Sequence, residues 1–205
     1  MALHSSSRPL ALAWIASLLL VAAPCARTPV EATDAAAADA APAAADPAFA
    51  AVYAQLAPLA RQMGEAERDT LARALVEASR EHGLPPAFVL AVIEVESRFD
   101  PYAVSHKGAL GLMQILPTTG VPIARRLGIP WRGPQTLFDP HANVRIGVAY
   151  LRELIDRYAN VRAALAAYNR GPGEIDARLR QGDVLPASYA ERVLDAYSSG
   201  RRTDS

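Results

Sequence analysis

Residues 84–117 read LPPAFVLAVIEVESRFDPYAVSHKGALGLMQILP and open with two prolines, whose fixed φ suits the first turn of a helix. The apolar residues that follow are too many for one narrow stripe, so we expect a largely buried helix. This helix carries two acids, Glu94 and Glu96. The dipeptide of Asp100 and Pro101 predicts where the helix ends, since a residue before proline avoids the α region.

The two acids of this helix are candidates for different roles. Glu94 and Glu96 are two residues apart, so on a helix their side chains point to nearly opposite sides. They are therefore not expected to form one acid–base pair. A carboxyl held in apolar surroundings has a raised pKa, because burial disfavours the charged form, and it can then act as a general acid near neutral pH.

A turn is predicted after the helix, followed by a short apolar segment. Gly108 and Gly111 permit positive φ or a close approach of backbone, and Gln114 places an amide beside apolar side chains. Binding of a sugar polymer needs this mixture, because sugar rings have apolar faces and their hydroxyl and acetamido groups need hydrogen-bond partners.

The pattern of residues 96–117, Glu-Ser-x-Phe-x-Pro-x-Ala-x-Ser-x-x-Gly-Ala-x-Gly-Leu-Met-Gln-x-x-Pro, resembles the catalytic motif of the soluble-type lytic transglycosylases. These bacterial enzymes have a goose-lysozyme-like catalytic domain and cut the glycan strands of peptidoglycan. The resemblance covers residues 84–198, and three blocks in the same order make it more specific than one short motif.

Two further blocks carry the resemblance downstream. Asn143, Gly147, Tyr150 and Leu151 fit the pattern Asn-Ile-x-x-Gly-x-x-Tyr-Leu. Residues 167–172, Ala-Tyr-Asn-Arg-Gly-Pro, are similar to the block Ala-Tyr-Asn-Ala-Gly-Pro, with Arg170 in place of the usual small residue. This departure is expected to alter the wall of the substrate groove and to leave the catalytic acid untouched.

The resemblance implies an all-α fold with a lysozyme-like catalytic domain over residues 84–199. It implies cleavage of the β-1,4 bond between N-acetylmuramic acid and N-acetylglucosamine, with formation of a 1,6-anhydro end, and makes Glu96 the general acid and then the base. The residues that it places around the substrate are Ser105, Gln114, Tyr168, Asn169 and Tyr189. Those expected to shape the motif are Ser97, Gly108, Gly111 and Met113.

Residues 141–158 show the most regular helical pattern of the chain. Opposite charges four residues apart predict two ion pairs on its exposed face, Arg152 with Asp156 and Glu153 with Arg157. Gly147, in mid-helix, costs roughly 1 kcal/mol relative to alanine. We expect close packing against the helix that carries Glu96 to offset this cost.

The residues before the catalytic domain are predicted to direct its export and to support its fold. Residues 1–26 have a polar front and an apolar run typical of a signal peptide, so we expect export to the periplasm. The lone Cys25 loosely fits a lipid-attachment site, although Pro24 before it fits poorly; loss with the signal peptide is the alternative. Residues 27–47, rich in alanine and proline, predict a disordered linker, and residues 48–83 predict a helical scaffold.

Composition and histidine spacing exclude several other functions. The chain has 21 basic and 21 acidic residues, which gives no sign of a nucleic-acid-binding surface. We expect neither a cofactor nor a metal, because His4, His82, His106 and His141 lack the paired spacing of a zinc site. The expected partners are peptidoglycan strands, and a secretion or conjugation apparatus if the enzyme opens the wall locally. Membrane attachment is expected only through a lipid on Cys25.

Two alternatives to a lytic transglycosylase stay open at this point. A lysozyme-type muramidase on the same scaffold would differ only in its product, a reducing sugar in place of an anhydro sugar. A non-catalytic glycan-binding module of an envelope assembly is the third hypothesis, and an intact Glu96 argues against it.

Overall fold

The computed structural model describes residues 46–202, and the predicted signal peptide, Cys25 and almost all of the predicted linker lie outside this range. The regular elements within it are helical. They are α1 (Pro47–Leu59), α2 (Glu65–His82), α3 (Pro86–Ser97), α4 (Pro117–Arg126), a short 3-10 helix (Pro134–Phe138), α5 (Pro140–Tyr158), α6 (Val161–Arg170), α7 (Pro172–Gln181) and α8 (Ser188–Arg202). The predicted all-α class is confirmed for this part of the chain.

Most of these helices begin where local chemistry predicts. Five of the α-helices and the 3-10 helix have proline in the first turn, where a backbone N–H would have no acceptor within the helix. Polar side chains cap the N-termini of three helices. The side chain of Asp46 accepts from the N–H of Ala48, that of Asp139 from the N–H of Ala142, and that of Asn160 from the N–H of Ala163.

The main hydrophobic core lies between α2, α3, α5 and α8, and α1 and α2 contribute to the same core as the helix that carries Glu96. Residues 88–93 of α3 are all buried, as the apolar pattern of this helix predicts. α5 packs against α2 on one side and α6 on another, while α3 packs mainly against α8. The last turn of α3 is therefore held in place by α8.

The end of α3 differs from the prediction. The helix stops at Ser97, before Asp100 and Pro101, because Arg98 and Phe99 both adopt left-handed backbone with φ of 53° and 64°. This reversal places the ring of Phe99 in the core at 2% exposure. Burial of that ring offsets the cost of left-handed backbone at residues other than glycine.

Of the two ion pairs predicted on α5, one is confirmed and the other is wrong. Arg152 does pair with Asp156, but Glu153 pairs with Arg126 of α4, and Arg157 pairs with Asp176 of α7. Exposed side chains have several partners within reach, so helical spacing alone does not decide between them.

Gly147 packs against Met113, not against α3. A Cβ built on Gly147 would lie 2.4 Å from Met113 Sδ and 2.8 Å from Met113 Cβ. The glycine therefore makes room for the turn that follows α3, and close packing is still what offsets its cost in mid-helix.

No helix within residues 46–202 is both long enough and apolar enough to cross a bilayer.

Candidate active site

Glu96 lies in the last turn of α3 and lines a cleft of about 370 Å³. The other walls come from the turn after α3 and from α4, α5 and α6. The lining residues are Ser105, His106, Lys107, Ala109, Gln114, Ile115, Leu116, Thr119, Tyr150, Tyr168, Asn169, Arg170, Gly171 and Pro172. Among these described residues Glu96 is the only carboxylic acid.

The environment of Glu96 favours its protonated form near neutral pH. Burial raises the pKa of Glu96 from 4.5 to about 7, and this effect outweighs two opposing ones. The hydroxyl of Tyr189 donates to Glu96 Oε1 at 2.6 Å, and the positive charge of Arg192 lies nearby; both lower the pKa by favouring the carboxylate. A carboxyl with a pKa near 7 can give up and take back a proton at the pH at which it works.

Glu94 is exposed and does not line the cleft. This placement agrees with the helical spacing, which predicts that the two acids of α3 face apart. Asp100 is also exposed, and its Oδ1 accepts from the N–H of Tyr102 in the turn.

Ser105 lines the cleft, and its hydroxyl oxygen holds the turn together. Ser105 Oγ accepts from the N–H of Ala109 at 3.0 Å and from that of Lys107 at 3.3 Å. The carbonyl of Ser105 accepts from the N–H of Gly108, which has φ of 77°. Ser105 therefore shapes the cleft wall through its own hydrogen bonds.

Gln114 also lines the cleft and is tied to the turn. Its Nε2 donates to the carbonyl oxygens of Ala103 at 3.1 Å and Gly111 at 3.0 Å, and its own φ is 48°. Ser97 lies beside the acid at the end of α3, where its hydroxyl donates to the carbonyl of Ile93 at 3.3 Å. Ser97 thus holds the backbone at the end of α3 through this hydrogen bond.

Asn143 of α5 is fully buried and joins the turn to the 3-10 helix. Its Oδ1 accepts from the N–H of Met113 at 2.8 Å, and its Nδ2 donates to the carbonyls of Leu110 at 3.0 Å and Leu137 at 2.7 Å. A Cβ on Gly111 would lie 2.1 Å from Leu137 O, so only glycine fits there. This amide and this glycine position the floor of the cleft.

α6 closes one side of the cleft through Tyr168. The hydroxyl of Tyr168 donates to the carbonyl of Met113 at 2.8 Å, and its ring lies 5.4 Å from that of Tyr150. Burial raises the pKa of Tyr168 well above its ordinary value, so the phenol stays neutral. Asn169 and Arg170 follow it and are exposed on the cleft wall.

Comparison with known proteins assigns the chain to a family. Residues 73–188, more than half of the chain, match the model of the Transglycosylase SLT domain. The chain belongs to the transglycosylase SLT domain family. The membrane-bound lytic murein transglycosylase C of Salmonella arizonae is 40% identical over 124 residues, which cover 55% of this chain and 34% of that protein. The soluble lytic murein transglycosylase of Salmonella typhimurium is 37% identical over 119 residues, 56% of this chain and 18% of that protein.

A solved structure supports the fold of this SLT domain. The 70 kDa soluble lytic transglycosylase of Escherichia coli aligns with a TM-score of 0.57 and 28% identity, over 76% of this chain and 29% of that one. The predicted lysozyme-like fold is thereby confirmed. The chain spans about a third or less of the length of each of these relatives.

The structure brings most of the predicted substrate residues of the SLT domain to one cleft. Ser105, Gln114, Tyr168 and Asn169 line it together with Glu96, and Tyr189 reaches Glu96 from α8. Gly108, Gly111 and Met113 shape the turn as the motif predicts. His106 is exposed at the cleft, and residues 46–202 contain no cluster of three or more histidine, cysteine or acidic side chains suited to a metal.

The sequence reasoning missed three residues of this site. The Arg192 guanidinium lies 5.8 Å from the centre of the Tyr189 ring, and the helical spacing of these two residues is the signal that would have found it. Tyr150 was noted only as part of a family block, yet it lines the cleft. Lys107 also lines the cleft and carried no signal except its place inside the motif.

Proposed function

We propose that the SLT domain of this chain is a peptidoglycan lytic transglycosylase in which Glu96 acts first as general acid and then as general base. The observation that carries the proposal is the placement of one carboxyl in the cleft, half-buried, with its pKa raised to about 7 and no second acid among the described lining residues. Enzymes that use two carboxylates hold them about 5–10 Å apart across the scissile bond.

In the first step Glu96 protonates the glycosidic oxygen between N-acetylmuramic acid and N-acetylglucosamine. The bond between the anomeric carbon and this oxygen breaks, and its electron pair stays with the leaving sugar. The acetamido group of the substrate stabilises the positive charge that develops on the anomeric carbon. A half-buried acid with a pKa raised to about 7 suits this step, because a large share of it is protonated at neutral pH.

In the second step the Glu96 carboxylate takes the proton from the 6-hydroxyl of the same muramic acid. The oxygen of this hydroxyl bonds to the anomeric carbon and closes the 1,6-anhydro ring, so the proton on Glu96 is restored. An internal hydroxyl has the advantage of being tethered near the reacting carbon. The hydrogen bond from Tyr189 favours the carboxylate form that this step requires.

Ser105, Gln114, Tyr168 and Asn169 are proposed to contact the glycan from the walls of the cleft. Because Tyr168 Oη and Gln114 Nε2 already donate to backbone carbonyls, we infer that the Tyr168 ring and the Gln114 amide oxygen face the sugar. Asn169 is exposed at the cleft, so its amide oxygen can accept and its amide NH2 can donate hydrogen bonds to the sugar.

The proposed location is the periplasm, where murein lies, after export through the signal peptide predicted at residues 1–26. Relatives include proteins named as membrane-bound and as soluble murein transglycosylases. We further propose attachment through Cys25 and work beside a secretion or conjugation apparatus. Fractionation of cells that express the tagged chain, with and without Cys25→Ser, tests the location and the anchor.

The reaction is tested by digestion of purified sacculi and mass spectrometry of the soluble products. A lytic transglycosylase releases muropeptides with anhydro ends, which are lighter by one water than the reducing products of a muramidase. Reducing ends would assign the muramidase alternative. Binding to sacculi without release of any muropeptide would assign the non-catalytic module.

A further inference from the structure

We propose that Arg170 and Lys107 form a carboxylate-binding wall of the cleft and give the enzyme a preference for glycan strands that carry free carboxylates. The inference rests on the proposed function, because it names the feature of the strand that this cleft recognises. It goes beyond that function in assigning specificity to two residues that take no part in the proposed proton transfers.

Arg170 is held at the cleft by the end of α6. It is the last residue of the helix, two positions after Tyr168, whose hydroxyl is bonded to the carbonyl of Met113 at 2.8 Å. The backbone of Arg170 is thus tied to the turn that carries the family motif, while its side chain is exposed on the wall. At this position the family block quoted above has a small residue.

Lys107 is presented on the same cleft by a turn with its own hydrogen bonds. Ser105 Oγ accepts from the N–H groups of Lys107 and Ala109, and the Ser105 carbonyl accepts from the N–H of Gly108 at 2.9 Å. The Lys107 side chain is exposed and lines the cleft. The backbone that carries both cations is therefore fixed by hydrogen bonds within the protein, independently of substrate.

Neither cation is used in an ion pair within the described part of the chain. Arginines on neighbouring helices are paired: Arg126 with Glu153, Arg157 with Asp176, and Arg178 with Glu174. Arg170 and Lys107 have no carboxylate partner among residues 46–202.

The cleft is therefore locally positive in a chain with no formal net charge. Two cations line it against a single acid, Glu96, whose pKa of about 7 leaves it only partly ionised at neutral pH. A cleft lined by one sign of charge concentrates ligands of the opposite sign.

Murein offers carboxylates of two origins to such a wall. Muramic acid without a peptide has a free lactyl carboxylate, and muramic acid with a peptide has the carboxylates of that peptide. The planar guanidinium of Arg170 matches a carboxylate with two parallel hydrogen bonds, and Lys107 adds a point charge. The shared ligand is a carboxylate on the muramic acid side of the strand.

A purely structural role for Arg170 makes a different prediction. A cation in the last turn of α6 is favoured by the partial negative charge of the helix end. Removal of such a cation would lower the melting temperature and leave the choice between charged and neutral strands unchanged.

The test compares kcat/KM of the full chain on three strand preparations. The first is untreated strands, the second is strands freed of peptides by an amidase, which leaves lactyl carboxylates, and the third is strands whose carboxylates are converted to neutral amides with carbodiimide and ammonia. The variants are Arg170→Ala, Arg170→Lys, Lys107→Ala and the double alanine variant. Arg162→Ala is the matched control, because Arg162 is exposed on the same helix and does not line the cleft.

We expect the wild type to prefer untreated strands over amidated strands, and this ratio to fall about five-fold in Arg170→Ala, mainly through KM. The double variant loses more of the preference, Arg170→Lys restores part of it, and Arg162→Ala keeps the wild-type ratio. Salt weakens the preference in the wild type. Faster cleavage of amidase-treated than of untreated strands assigns the lactyl carboxylate, and a preference lost with the peptides assigns the peptide carboxylates. Equal cleavage of both, above that of amidated strands, assigns a wall that accepts either carboxylate.

An equal loss on untreated and amidated strands in Arg170→Ala would overturn the inference and leave the structural role. A wild type that releases nothing from any preparation would instead overturn the proposed function, so the two failures are distinguishable.

Discussion

The hydroxyl of Tyr189 lies 2.6 Å from Glu96 Oε1 and joins residues 93 positions apart in the sequence. The pair forms because α8 packs along α3, and the same packing places the ring of Tyr197 edge-on to Phe88, with ring centres 5.6 Å apart. The position of the acid therefore depends on the last helix of the described chain as well as on its own.

Tyr189→Phe is expected to shift the pH dependence of catalysis to higher pH. The hydrogen bond from Tyr189 lowers the pKa of Glu96 below the value that burial alone would set. Removal of the hydrogen bond raises that pKa, so the alkaline limb of the kcat/KM profile moves to higher pH. The maximal rate falls about ten-fold, because the carboxylate needed for the second step loses a hydrogen-bond donor.

The matched control for this variant is Tyr102→Phe. Tyr102 is 64% exposed and its hydroxyl makes only a long contact of 3.5 Å with Glu67. This substitution should leave the profile where it is. An unmoved alkaline limb in Tyr189→Phe would show that the hydrogen bond does not control the acid.

The raised pKa of Glu96 also predicts that the difference in stability between Glu96→Gln and the wild type changes with pH. Because the folded chain holds this proton up to about pH 7 and the unfolded chain releases it near 4.5, the stability contribution is fully present below pH 4.5 and is lost as the pH rises through 7. Glu96→Gln does not ionise. Its free energy of unfolding relative to wild type should rise by about 1–2 kcal/mol between pH 4.5 and 8, after allowance for solvent screening.

Urea unfolding of both proteins at several pH values measures this difference. A difference that stays constant with pH would mean that Glu96 ionises alike in the folded and unfolded chains, and the acid would then lack the environment described above.

Asn143→Ala is expected to destabilise the fold by about 3 kcal/mol and to lower activity. The substitution leaves the N–H of Met113 and the carbonyls of Leu110 and Leu137 without their buried partner. Asn160→Ala is the comparison, because Asn160 is exposed and caps α6 through one hydrogen bond, worth about 1 kcal/mol. Equal losses in chemical denaturation would contradict the role of Asn143 in holding the turn.

Gly147→Ala and Gly173→Ala are expected to change stability in opposite directions. The new Cβ at Gly147 meets Met113 Sδ at 2.4 Å and Met113 Cβ at 2.8 Å, so the turn must shift, at a net cost of about 1–3 kcal/mol. Gly173 lies in α7 with no heavy atom within 4 Å of its added Cβ, and alanine should gain up to about 1 kcal/mol there. Melting temperatures check both, and a neutral Gly147→Ala would show that the turn is free to move.

Much of the fold was predictable because local chemistry decides where its helices begin. The regular pattern of α5 and the prolines at helix starts, Pro86 and Pro140 among them, are read from short windows of sequence. The end of α3 was not predictable in this way. Left-handed backbone at Arg98 and Phe99 depends on burial of the Phe99 ring in a core built from distant helices.

The candidate site shows the same division between local and non-local information. The motif places Glu96 on α3 and its neighbours on one turn, and the structure brings them to one cleft. The partner of Gly147 and the clamp formed by Asn143 depend on how α5 crosses that turn. The motif also does not reveal that the polar atoms of Ser105 and Gln114 hold the turn itself.

The central claim is that Glu96 alone carries the proton, and the most direct test is release of soluble muropeptides from sacculi by Glu96→Gln and Glu94→Gln beside the wild type. We predict that Glu96→Gln loses at least about a thousand-fold in rate while it stays folded and binds sacculi, because the amide keeps the shape but does not supply the proton. Glu94→Gln, changed on the exposed side of the same helix, should stay within about two-fold of wild type. Retained release by Glu96→Gln, or an equal loss in Glu94→Gln, would contradict the account.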